Sequence, residues 1–257
     1  MLSISVPQAE RHDGECSRNR FDEVQTVFLR EKCYFCFQNY IYLYNKRNKM
    51  NYLQFKETFS PLVCFTTNQV LAKYPHFSQM NLTRWLRQGY IVRLRRGWFS
   101  FPEFGKNPDF VRLAANKIYK PSYISLQYAL AFYGMIPETV VQLTCVSSLK
   151  TASFENGWGQ FVYQNLKPSL FFGYAPYPIE HPSANGQYFL MATPEKALLD
   201  FLYLNPFYKT QEDFESLRLD EDFMTDSLDR ERLGGYLEKF ASKALIRRVK
   251  DLLRLYG

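Results

Sequence analysis

The stretch SQMNLTRWLRQGYIVRLRRGWFSF, residues 78–101, decides how this chain is read. Ser78 is a preferred helix N-cap, Gln79 to Gln88 has helical period, and Gly89 stands where a left-handed residue ends a helix. Tyr90 to Leu94 and Trp98 to Phe101 read as two strands joined through Arg95-Arg96-Gly97, a tight connection whose glycine takes positive φ. A 100° step per residue puts Leu82, Trp85 and Leu86 in one arc, which therefore faces a core. Asn81, Thr83, Arg84, Arg87 and Gln88 project on the opposite arc, with Gln79 and Met80 near the helix start.

Outward from this stretch the pattern continues in both directions. Asn51 to Phe59 is expected to form a first helix with Leu53, Phe55 and Phe59 in the core, interrupted by Ser60-Pro61. Thr66 or Thr67 caps a second helix through Val70, Leu71 and Ala72, stopped by Pro75. Three short helices followed by a hairpin predict a winged helix-turn-helix over residues 50–101. In that fold the third helix lies in the major groove of duplex DNA and the hairpin reaches phosphates or the adjacent minor groove. The residues expected to touch DNA are Gln79, Asn81, Thr83, Arg84, Arg87, Arg93, Arg95 and Arg96. Arginines there pair with guanine, the amides with adenine, and an apolar tip meets a thymine methyl.

Charge agrees with this reading. Of the net +7 on 257 residues, most is concentrated in residues 50–101, which hold seven Lys and Arg and one acid, Glu57. Residues 102–257 hold 17 basic and 18 acidic side chains, so a polyanion-binding module joined to a near-neutral domain is implied. Six cations each on a phosphate would give a log affinity against log salt slope of about −5. With 42 Phe and Tyr residues the composition opposes disorder. No apolar run reaches bilayer length, so no membrane partner is expected. Five irregularly spaced cysteines without a signal-type N-terminus predict a reducing, cytoplasmic location.

Residues 1–49 read differently. Phe28 to Tyr44 is crowded with Cys, Phe, Tyr and Asn but has neither helical period nor strand alternation. Met50 is therefore expected to be the natural start, with residues 1–49 a non-native or disordered extension. Beyond a linker through Pro102, Gly105 and Pro108, residues 108–257 are expected to form a larger mixed α/β domain with a small sheet and flanking helices, the whole chain being α+β. Asp109 to Tyr119 reads as a helix, Ser125 caps another, and Thr139 to Val146, Gly159 to Asn165 and Gly186 to Met191 read as strands. Thr193 and Pro194 open a further helix in which Glu195, Lys196 and Asp200 are expected to be capping and surface groups, with Leu198, Leu199 and Leu202 in the core. Asp229 to Tyr256 reads as amphipathic helix broken near Gly234-Gly235. It carries a secondary basic patch, Lys243, Arg247, Arg248 and Lys250, for which a solvated face and a second contact with DNA or an acidic partner both stay open.

Three segments in this order resemble the AbiE-type antitoxins of bacterial abortive-infection systems: Leu86 to Phe99; Tyr123 to Leu130 leading to Gly134-Met135-Ile136-Pro137; and Ala192-Thr193-Pro194-Glu195-Lys196-Ala197-Leu198-Leu199-Asp200. The resemblance implies a transcriptional regulator that binds repeats in its own promoter. It also implies opposition to a nucleotidyltransferase-type toxin, with or without direct contact, and admits a homodimer on DNA. Residues 1–49 have no counterpart in that pattern.

Enzymatic signals are weak, and no catalytic residue, metal or cofactor is expected. Glu195 and Lys196 diverge by about 100° on one helix, which suits a metal-dependent nuclease poorly. Cys33 and Cys36 lack a second ligand pair. His12, His76 and His181 have no triad partners, and no glycine-rich phosphate loop is present. The competing reading is a protein or RNA adaptor whose second domain conceals an enzyme.

Overall fold

The computed structural model describes residues 50–256. The expectations for residues 1–49, including those for His12, Cys16, Cys33 and Cys36, lie outside the described residues. From Asn51 onward the chain forms one compact unit of α+β type.

Helix α1, Tyr52–Phe59, is capped by the Asn51 side chain, which accepts from the Leu53 amide. Phe55 and Phe59 face inward. Leu53, expected in the core, is 64% exposed, because two positions before Phe55 a helix has turned it to the other side. Strand β1, Cys64–Thr66, runs into α2, Thr67–Lys73, through a capping box in which the Thr66 hydroxyl and the Gln69 side chain each accept the other residue's amide. Helix α3, Met80–Arg87, follows, then β2, Val92–Arg95, and β3, Trp98–Ser100. The three strands form an antiparallel sheet in the order β1-β3-β2.

Aromatic rings fill the space between these helices and this sheet. Phe55 is fully buried, with its ring 4.7 to 6.3 Å from those of Phe59, Phe65, Phe77, Trp85 and Phe101. Rings at these separations add pairwise attraction to the area they remove from water, so the helices are fixed around one residue.

The expected linker is instead a packed 3₁₀ turn, Pro102–Lys106. Gly105 sits so close beneath the Trp158 indole that a Cβ there would overlap it. The second half comprises α4 (Pro108–Ile118), β4 (Ser122–Ile124), α5 (Leu126–Phe132), β5 (Leu143–Ser147), β6 (Ala152–Asn156), β7 (Gly159–Asn165), β8 (Tyr174–Pro178), β9 (Tyr188–Ala192), α6 (Pro194–Leu204), α7 (Gln211–Glu215), α8 (Arg230–Phe240) and α9 (Lys243–Leu253). Its mixed sheet has the order β6-β7-β5-β4-β9-β8, with parallel pairs β7/β5 and β4/β9 and the remaining pairs antiparallel.

Strands β5, β7 and β9 fall where the sequence placed strands, whereas β4, β6 and β8 add to them. Strand β8 carries Pro176 and Pro178, which remove ladder donors and are tolerated because it is an edge. The break expected at Gly234-Gly235 is absent: α8 runs through both glycines between buried Leu233 and Leu237. The chain turns instead at Ala241, φ 48°, before Ser242 caps α9. Among the described residues no helix is long and apolar enough to cross a membrane.

Candidate nucleic-acid interface

Trp85, 2% exposed, and Leu82 bury the inner side of α3. Tyr52 meets Trp85 edge-on at 5.5 Å and Phe55 lies 4.7 Å from it, so the helix cannot rotate about its axis without breaking both contacts. Gln79, Met80, Thr83, Arg84, Arg87 and Gln88 are consequently exposed and Asn81 half-buried. Ser78 does not cap the helix: the N-cap position falls on Gln79, which makes no side-chain cap, and the Ser78 carbonyl accepts the Asn81 amide at 2.9 Å. At the other end Gly89, φ 71°, donates to the Leu86 carbonyl and Tyr90 donates to that of Trp85, a Schellman closure that only a residue tolerant of positive φ completes without strain.

The hairpin follows in the chain, its strands β2 and β3 paired antiparallel. Arg96-Gly97 forms the turn, Gly97 at φ 77°, and Arg93 and Arg96 are exposed. Arg93 lies over the Phe99 ring at 6.0 Å, which keeps its guanidinium near the strand surface. Among the described residues no carboxylate pairs with Arg84, Arg87, Arg93 or Arg96. Four cations are thus presented without internal neutralisation.

Arg95 stands apart from the other arginines of the expected set. It is half-buried, donates to the Ile118 carbonyl at 2.8 Å, and lies over Phe154 at 4.6 Å and Tyr119 at 5.2 Å. A guanidinium held by a backbone acceptor and two rings is less available to a duplex than one that is fully exposed. It fastens the hairpin to the larger sheet, helped by the Asn156 amide donating to the Leu94 carbonyl at 2.9 Å. On the other flank Lys117 donates to the Leu62 carbonyl at 2.7 Å and Gln187 to that of Pro61 at 2.7 Å.

The secondary patch divides in the same way. Arg248 is buried, and its guanidinium donates to the carbonyls of Leu202, Asn205 and Tyr208 at 2.8 to 3.4 Å, closing the C-terminal end of α6. It is not a surface cation. Lys243, Arg247 and Lys250 are exposed, Arg247 lying 3.9 Å from Asp251.

Glu195, Lys196 and Asp200, expected at the surface, are buried; Lys196 and Asp200 are fully so. Lys196 and Asp200 form an i, i+4 ion pair inside the domain. The Tyr123 and Ser125 hydroxyls donate to Asp200 Oδ2 at 2.8 and 2.9 Å, and Lys196 Nζ donates to the Tyr123 hydroxyl at 2.8 Å. The ammonium also faces the rings of Phe240, Phe172 and Tyr123 at 5.0 to 5.3 Å. Burial lowers the Lys196 pKa, opposed by Asp200, and raises that of Asp200, opposed by Lys196 and the two hydroxyls. Both directions indicate that removal from water outweighs what the pair recovers.

The overlooked signal is the spacing of Lys196 and Asp200, which places them on one helix face. Enclosed on all sides, the cluster orients β4, α5 and α6 and presents no charge at the surface. Among the described residues no group of three His, Cys, Asp or Glu side chains is placed to hold a metal ion. Compared with known proteins, the sequence matches no family model, and no curated protein matches it.

Urea denaturation reads the weight of both Arg95 and the buried pair. Arg95→Ala should cost about 2 kcal/mol, because a charged hydrogen bond and two cation–π interactions disappear together, whereas Arg96→Ala should stay within about 0.5 kcal/mol. Equal effects would return Arg95 to the exposed set. Asp200→Ala should cost about 3–5 kcal/mol by stranding a buried ammonium, and Lys196→Met combined with Asp200→Asn should cost less than Asp200→Ala alone. A double variant at least as unstable would show that the charges themselves stabilise the fold.

Proposed function

We propose that residues 50–101 form a winged helix-turn-helix that binds double-stranded DNA, and that the chain is a transcriptional regulator. The observation that carries the reading is the set of four unneutralised arginines, Arg84 and Arg87 on α3 with Arg93 and Arg96 on the adjoining hairpin. Gln79 and Thr83 stand exposed on α3 beside them, and Asn81 is half-buried. An exposed helix face of this composition suits the major groove, where arginine reads guanine and an amide reads adenine. The arginine at a hairpin turn suits phosphate or the minor groove.

The resemblance of Leu86 to Phe99, Tyr123 to Pro137 and Ala192 to Asp200 to AbiE-type antitoxins supports autorepression from promoter repeats and opposition to a nucleotidyltransferase-type toxin. In this reading the protein works in the cytoplasm and the chemistry is recognition, without a catalytic residue or cofactor. Arg95 acts indirectly, by holding the hairpin in place. Lys243, Arg247 and Lys250 are exposed on another helix and are not needed for the primary contact.

Fluorescence anisotropy with a labelled duplex from the region upstream of the coding sequence tests the proposal. Arg84→Ala should weaken binding by about 1–3 kcal/mol and relax base preference at one position, while Arg96→Ala should weaken all sequences nearly equally. Unchanged affinity for both variants would refute the assigned surface.

A further inference from the structure

A cavity of about 420 Å³ opens between α4, the start of β4, and strands β8 and β9. Its walls are largely apolar and aromatic, including Phe171, Tyr174 and Leu190. Tyr174 is held rigidly, stacked 4.8 Å from Tyr123, whose hydroxyl is fixed by Asp200, and edge-on to Phe171 at 5.3 Å. Among the described residues two lysines, Lys117 and Lys120, belong to the lining, and no aspartate or glutamate does. Lys117 is already committed, to the Leu62 carbonyl and to Gln187 Oε1. Lys120 is exposed and has no hydrogen bond or ion pair among the described residues. The lining also contains Ser122, whose buried hydroxyl has no hydrogen-bond partner among the described residues.

Pockets of this size that combine apolar walls with a few convergent polar groups are the usual form of a small-molecule site. The walls specify flat ring systems, and the uncommitted Lys120, with no acid among the described lining residues opposing it, specifies a single negative charge. Burial lowers the Lys117 pKa, and the neighbouring Lys120 charge pushes it in the same direction. We infer that this cavity is a binding site for a planar aromatic monoanion, with its rings against Phe171, Tyr174 and Leu190 and its acidic group at Lys120. The inference is independent of the nucleic-acid reading, since none of these residues belongs to the exposed surface of α3 or the hairpin. A failure of DNA binding would leave it standing.

The test uses the full chain and two fluorescent probes, 1-anilinonaphthalene-8-sulfonate and its uncharged relative N-phenyl-1-naphthylamine. The wild-type chain should bind the sulfonate at one saturable site and more tightly than the neutral amine. Lys120→Met should weaken the sulfonate about fivefold at low salt and leave the amine unchanged, the loss expected for one partly solvated charge contact. Leu190→Trp should fill the cavity and weaken both probes at least about tenfold. Equal affinity for the two probes in the wild type, or a sulfonate affinity unmoved by Lys120→Met, would overturn the inference. Wild-type binding by a folded Leu190→Trp variant would overturn it as well. Should Leu190→Trp not fold, the exposed Lys120 position decides alone.

Discussion

Burial of Trp85 against Tyr52, Phe55 and Phe77 is the interaction on which the arginine-bearing surface depends. A helix of eight residues has little intrinsic stability in water and is held by what it packs against. Once the indole and Leu82 are inside, the 100° repeat dictates that Thr83, Arg84 and Arg87 are outside. The positively charged surface is therefore a consequence of apolar packing. Gly89 then ends the helix at a defined point, and the hairpin that follows in the chain carries the exposed Arg93 and Arg96.

The seam with the larger sheet adds a second constraint. Arg95, Asn156, Lys117 and Gln187 all donate across it to backbone carbonyls, and Arg95 is also covered by two rings. Hydrogen bonds from charged donors in a half-buried setting are stronger than those between neutral groups. The helices and hairpin consequently form one body with the second sheet, and an opening motion of the small module would forfeit several of these bonds at once. The buried Lys196–Asp200 pair plays a comparable part deeper in the fold, joining β4, α5 and α6 through Tyr123 and Ser125.

Much of α3 was legible in the sequence because its information is local: apolar period, a glycine stop and a glycine turn lie within 24 residues. The cap at Thr66 and the proline at the start of α6 were legible for the same reason. What was not legible depends on distant partners. Arg95 reads as one more hairpin cation until Ile118, Tyr119 and Phe154 are brought beside it. Arg248 reads as part of a basic helix face until the end of α6 arrives beneath it. Lys196 and Asp200 carried a local hint in their spacing, yet residue type alone argued for solvent. Edge strand β8 was hidden by its prolines, and short β4 by its length.

The proposed function rests on four arginines of α3 and the hairpin being free to neutralise a polyanion. The slope of about −5 is reckoned for six cations, and it falls when only the four exposed arginines of α3 and the hairpin are counted. The most direct measurement is the affinity for duplex DNA across a salt series at fixed pH, plotted as log affinity against log salt concentration. A slope of about −3.6 is expected if Arg84, Arg87, Arg93 and Arg96 each displace one counterion. A slope near zero would contradict the claim.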